Sequence, residues 1–144
     1  MIALSSPLHV GIYEDGVLIE AYISQEQTSE ALPKIFEQIL SKYRIHELFY
    51  AKGPGSFMSI KISYIFLKTL GISLDVSLYA TDGFAFNEAK PIKAMRELYF
   101  IKEEGGIITR LLETPIQCEF TLPPRLQKEI FDSNNEPLYI LPAV

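Results

Sequence analysis

Apolar and polar positions change period several times along this chain, and each change marks an element. Leu8, Val10 and Ile12 alternate with His9, Gly11 and Tyr13; after Glu14-Asp15-Gly16 the alternation resumes at Val17, Ile19, Ala21 and Ile23. This is a β-hairpin with glycine where the turn needs positive φ. Met1–Ser5 reads as a preceding strand, so the chain is expected to open on a three-stranded antiparallel meander. The period then lengthens. Leu32, Ile35, Phe36, Ile39, Leu40 and Tyr43 fall on one helical stripe, opposite Glu30, Lys34, Glu37, Gln38, Ser41 and Lys42. Thr28 or Ser29 is the expected cap, and Pro33 lies near the first turn, where its missing N–H costs least.

Leu48–Ala51 is a short apolar run expected to join the sheet as a parallel strand through that helical crossover. A turn, Lys52-Gly53-Pro54-Gly55-Ser56, leads into the long apolar segment Phe57–Leu74. Placed on a helix at about 100° per residue, this segment has two apolar faces. Phe57, Ile60, Tyr64, Leu67, Gly71 and Leu74 form one; Met58, Ile62, Ile65, Phe66 and Ile72 form the other, with Lys61 and Lys68 as a ridge between. A helix apolar on two sides requires cover on two sides. The sheet supplies one cover; another subunit or the C-terminal part of the chain must supply the other.

Val76–Tyr79 reads as a strand, and Thr81 or Asp82 as the cap of a short helix reaching Asn87. A hairpin is expected around Gly105-Gly106, joining Leu98–Ile101 to Ile107–Leu112, followed by a short helix at Pro124–Phe131 and an extended end at Pro137–Val144.

The chain has 144 residues, 48% of them hydrophobic and 22% charged, with a formal net charge of −5. That suits one compact domain, or one and a fragment, and it excludes a chain that grips nucleic acid by its own charge. Cys118 is the only cysteine, so no internal disulfide forms. The N-terminus lacks the basic and apolar regions of a signal peptide, and Lys61 and Lys68 interrupt the segment of near-transmembrane length. A soluble cytoplasmic protein with no membrane partner is expected.

Candidate chemistry is sparse. A phosphate loop of the Gly-x4-Gly-Lys-Ser/Thr kind fails, because Ile60 and Ile62 stand where glycine... and hydroxyl residues would be needed in a frame started at Gly55. Gly53, Pro54, Gly55 and Ser56, with Lys61, could still make a weak anion contact at a helix N-terminus. His9 and His46 are isolated and lack metal-ligand spacing, and no nucleophile–histidine–acid set is present. No cofactor, metal or catalytic residue is expected.

The run Ala51-Lys52-Gly53-Pro54-Gly55-Ser56-Phe57-Met58-Ser59-Ile60-Lys61-Ile62-Ser63 resembles the motif G-R-G-P-G-S-F-T-G-L-R-I-G of the TsaB (YeaZ) family. Thr28-Ser29-Glu30-Ala31-Leu32-Pro33 resembles that family's H-S-E-x-L-L-P helix entry. Lys68 matches the lysine of its A-K-G-L, and Leu74–Leu78 its L-x-I-P-L strand. Pro137-Leu138-Tyr139-Ile140-Leu141-Pro142 is similar to the family's P-L-Y-L-R-P close. The likeness is good over residues 1 to 88, thin from 89 to 131, and returns at the end, as in an internally shortened member.

The resemblance implies an α/β fold: a ribonuclease H-like (actin/Hsp70-type, ASKHA) domain with a mixed sheet over residues 1–88. A truncated second α/β subdomain (hairpin, short helix, C-terminal strand) would occupy 89–144. It also implies a non-catalytic scaffold that binds a TsaD-like partner, with a TsaE-like ATPase as a further member. Such a complex supports threonylcarbamoyl-adenosine formation at position 37 of certain tRNAs, with tRNA touched only through the complex. Alone, such proteins form homodimers through the same surface. The implied contact face is Leu32, Ile35, Phe36 and Ile39 of the first helix with Met58, Ile62, Ile65, Phe66, Thr69 and Ile72 of the second. Leu4 stands where actin-like enzymes carry the acidic residue that holds metal and nucleotide, and lysines replace the motif's arginines, losing the planar fork. The competing expectation is a small nucleotide-binding, ATPase-type enzyme of the actin-like superfamily, resting on the Gly53–Ser56 loop alone.

Overall fold

A computed structural model describes residues 1–117 and 119–140. Cys118 and the last four positions of the expected C-terminal segment, including Leu141 and Pro142 of the family-like close, lie outside the described residues. Strands β1 (Leu8–Glu14) and β2 (Val17–Ser24) form the expected hairpin, with Asp15 and Gly16 at positive φ. Helix α1 (Thr28–Lys42) crosses to β3 (Glu47–Ala51), and α2 (Phe57–Leu74) crosses to β4 (Ser77–Thr81), which pairs in parallel with β3. Asp75, at φ 56, ends α2 in the left-handed conformation, and Val76 N–H donates to the Gly71 carbonyl at 2.9 Å.

The expected first strand is reduced to a short bridging segment. Ile2 and His9 exchange backbone hydrogen bonds of 2.8 and 2.9 Å, while Met1 N donates to the Phe49 carbonyl at 2.8 Å and Ala51 N–H to the Met1 carbonyl at 2.9 Å. Met1–Ala3 therefore lies between the two ladders, antiparallel to β1 and in parallel register with β3. The result is a mixed sheet in the order β2, β1, Met1–Ala3, β3, β4. The segment does not continue to Ser5 as a strand, because the Leu4 carbonyl turns to accept Ser56 N–H at 2.8 Å.

Helix α1 is entered from Gln27, not capped by Thr28 or Ser29: Thr28 Oγ1 donates instead to Ser59 Oγ of α2 at 3.0 Å. Pro33 falls inside α1 rather than in its first turn. Asp82 does cap the turn at Gly83–Phe86, accepting Phe84 N–H at 3.0 Å, but that turn is 3₁₀.

The diglycine hairpin forms as β6 (Leu98–Glu103) and β7 (Gly106–Leu111). A strand the pattern did not announce, β5 (Ile92–Met95), pairs antiparallel with β6. The helix expected at Pro124–Phe131 is absent apart from one 3₁₀ turn, Lys128–Ile130. Its backbone is committed elsewhere: the Pro124 carbonyl accepts Leu18 N–H at 3.0 Å and Leu126 N–H donates to the Gly16 carbonyl at 2.8 Å. The chain then runs as a strap, bridging Ala80 to Asp132 and donating Leu138 N–H to the Lys52 carbonyl at 2.8 Å.

Two apolar clusters result. One lies between the sheet and the two helices and includes Val10, Leu32, Ile39, Leu48, Tyr50 and Leu67. The other joins Leu4, Ile60 and Phe84 to Ile92, Phe100 and Phe120.

Candidate docking site on the second helix

The Lys52–Ser56 loop is built as a corner. Pro54 is fully buried. A Cβ on Gly55 would stand 2.7 Å from both Cβ and the carbonyl of Leu4, and one on Gly53, at φ 125, would meet the Leu138 carbonyl at 2.8 Å. Both glycines are required by close approach of protein backbone. Ser56 N–H is bonded to Leu4, and Lys52 Nζ donates to the Asn134 carbonyl at 2.9 Å. A cleft of about 930 Å³ lies near β1, β3 and the strap, and none of Gly53, Pro54, Gly55, Ser56 or Lys61 lines it. Among the described residues no group of three or more metal-ligating side chains is close enough to hold an ion.

The corner aims α2 across the sheet, and the two faces of that helix then meet different surroundings. Ile60, Ser63, Leu67 and Gly71 are buried; Gly71 is needed because a Cβ there would approach the Val76 carbonyl to 3.0 Å. Met58, Ile65 and Ile72 are exposed at 59%, 55% and 75%. Ile62 and Phe66 are half-buried at the edge of the core, with the Phe66 ring 5.2 Å from that of Phe36, and Thr69 is exposed. Lys61 and Lys68 flank this face in solvent. By length and composition the helix could cross a membrane; here its inner residues form part of the α/β core.

The four α1 residues expected at a contact face are elsewhere. Leu32, Ile35, Phe36 and Ile39 are core residues, none more than 7% exposed, because they pack on β1, β3 and β4. From α1, Leu40, at 43% exposed, is the apolar residue at the surface. Sequence periodicity placed it on the same stripe as the core residues, and its position at the stripe's edge is the signal that could have separated it.

The other marked electrostatic feature lies away from α2. Tyr22 Oη donates to Glu20, Tyr43 Oη donates to Glu20 Oε2 at 2.8 Å, and Lys42 pairs with Glu20 at 3.3 Å. The tyrosine hydrogen bonds, Tyr22 first, hold the Glu20 carboxyl below its ordinary value. This cluster ties β2 to the end of α1 and presents no reactive group.

Among the described residues the architecture defines a small mixed α/β domain with two α-helices, one of them keeping an uncovered apolar face. Among solved structures the chain is similar to YeaZ from Pseudomonas aeruginosa, with a TM-score of 0.60 and 13% identity. It is also similar to an uncharacterized protein with similarity to peptidase YEAZ from Pseudomonas aeruginosa, with a TM-score of 0.54 and 13% identity. Each alignment covers 78% of this chain and 62% of the other, so the chain spans less than two thirds of the length of the structures it matches. At such identity the likeness is one of fold. No protein-family model and no curated protein matches the sequence.

Proposed function

We infer that this chain is a non-catalytic scaffold of TsaB (YeaZ) type with a ribonuclease H-like core in residues 1–88. It docks a TsaD-like protein and thereby supports threonylcarbamoyl-adenosine modification of tRNA in the cytoplasm. In this reading a TsaE-like ATPase joins the complex, tRNA is met only through it, and the chain pairs with itself when the partner is lacking. The observation that carries the reading is the exposed apolar face of α2, Met58, Ile65 and Ile72, on a helix already anchored by its opposite face. Large apolar side chains grouped on one face mark a surface used for association. The YeaZ-like fold and the Gly-Pro-Gly-Ser-Phe run at the entry to α2 favour the same reading over a nucleotide-binding enzyme. So does the filling of the glycine loop by Leu4.

The test is complex mass on mixing with a TsaD-like protein at micromolar concentration. A stable complex that Ile65→Glu abolishes, with the circular dichroism spectrum unchanged, is the expected result. No complex between two folded proteins sinks the reading.

A further inference from the structure

The exposed face of α2 has a finer order than apolarity. Met58, Ile62, Ile65, Thr69 and Ile72 recur at intervals of four and three residues, the spacing of a seam that packs against another helix. Both charged residues of α2, Lys61 and Lys68, occupy the same side of that seam, each immediately before a seam residue. No acidic residue lies on the helix. The side opposite the lysines carries Ser59, Phe66 and Ser73, toward α1. Most other lysines, Lys93 excepted, are engaged, among them Lys34 with Glu26, Lys42 with Glu20, Lys102 with Asp82 and Lys128 with Glu47. Among the described residues Lys61 and Lys68 have no ion-pair or hydrogen-bond partner.

We propose that Lys61 and Lys68 are the specificity determinants of this surface, selecting a partner helix whose own apolar seam is flanked by carboxylates and disfavouring a second copy of this chain. The proposal rests on the docking reading above and adds what it leaves open, the charge of the partner and its rank against self-pairing. When two copies of one seam pack antiparallel, residues on the same side of each seam face each other. Lys61 of one copy then meets Lys68 of the other, twice over, and like charges across an interface suppress that pairing. Parallel self-pairing sets the lysines against Ser59, Phe66 and Ser73, which offer no carboxylate. Only a foreign helix with Glu or Asp at the flank satisfies both ammonium groups. The self-pair is accordingly the weaker complex, and it tightens with salt while the partner complex loosens.

Two synthetic helical peptides of about three heptads, both with leucine seams and flanked by glutamate in one and lysine in the other, test this with the intact chain. In a fluorescence anisotropy titration at low salt the glutamate peptide should bind roughly tenfold tighter or more, the gap narrowing as salt is added. The double variant Lys61→Glu/Lys68→Glu should reverse the preference. In sedimentation, a mixture of wild type and double variant should associate more strongly than either alone. Equal binding of the two peptides, binding of neither, or self-association of the wild type as strong as that of the mixture overturns the proposal. So does adhesion to anionic phospholipid vesicles without peptide preference, which would assign the lysines to lipid. The peptide measurement does not need the TsaD-like protein: loss of that complex with the peptide preference intact refutes the partner's identity alone.

Discussion

Helices α1 and α2 pack on the same face of one sheet, yet they meet solvent differently. Opposite its buried stripe, α1 shows Glu30, Lys34, Glu37 and Gln38. Opposite Ile60, Leu67 and Gly71, α2 shows Met58, Ile65 and Ile72. Burial of one stripe is all that folding requires of a surface helix, since roughly 25 cal/mol is gained per Å² of apolar surface removed from water. The outer residues Met58, Ile65 and Ile72 of α2 stay more than half exposed, so the fold gains little from them. The core therefore does not account for their apolarity, and α1 is the internal control.

The comparison can be broken most severely from within. Leu67→Ala removes a side chain 1% exposed at the centre of the α2 inner face, and a loss of about 2–5 kcal/mol in unfolding free energy is expected by denaturant titration. A loss under about 1 kcal/mol would mean the inner face is not the anchor. Gly55→Ala should come next. Its Cβ collides with Leu4, so the corner must shift, at a cost of roughly 1–3 kcal/mol, and α2 should be re-aimed. Unchanged stability together with unchanged partner affinity would show that the corner does not aim the helix.

Smaller in stability, and sharper in meaning, is Ile72→Glu. The residue is 75% exposed, so unfolding free energy should move by no more than about 0.5 kcal/mol, while association falls away. Leu40→Glu on α1 should leave the association closer to wild type, and an equal effect from both would extend the docking face across the two helices. The smallest effect is a pH dependence. The Glu20 carboxyl titrates below its ordinary value of 4.5 because Tyr22 and Tyr43 donate to it. Its contribution is therefore present above that value and fades as pH falls through the depressed one. Glu20→Gln should flatten the acid limb of a stability-versus-pH curve slightly, and an unaltered limb would show that the cluster does not link α1 to β2.

Much of the fold was legible because its causes are local. The β1–β2 and β6–β7 hairpins follow from alternation around Asp15-Gly16 and Gly105-Gly106, and Asp82 announces the turn that it caps. Where the structure departs from local pattern the cause is shared, and it is long-range pairing. Met1–Ser5 looked like an ordinary strand, but Leu4 is drawn to Ser56; Pro124–Phe131 looked helical, but Gly16 and Leu18 hold it extended. Strand β5 has a single buried residue among its four, Ile92, too little for a pattern to show. At the candidate site, the two apolar faces of α2 and the inward stripe of Leu32, Ile35, Phe36 and Ile39 on α1 are readable from spacing, whereas the exposure of Leu40 is signalled only by its place at the edge of that stripe.

The chain alone, then, determined that α2 is apolar on two sides with Lys61 and Lys68 along one edge, because helical period is set by neighbours three and four residues apart. Only the tertiary structure decided which of those sides is spent on the core. That choice depends on Gly53 and Gly55 closing against Leu138 and Leu4, contacts between residues far apart in the chain. Spacing cannot encode which backbone a glycine must let pass.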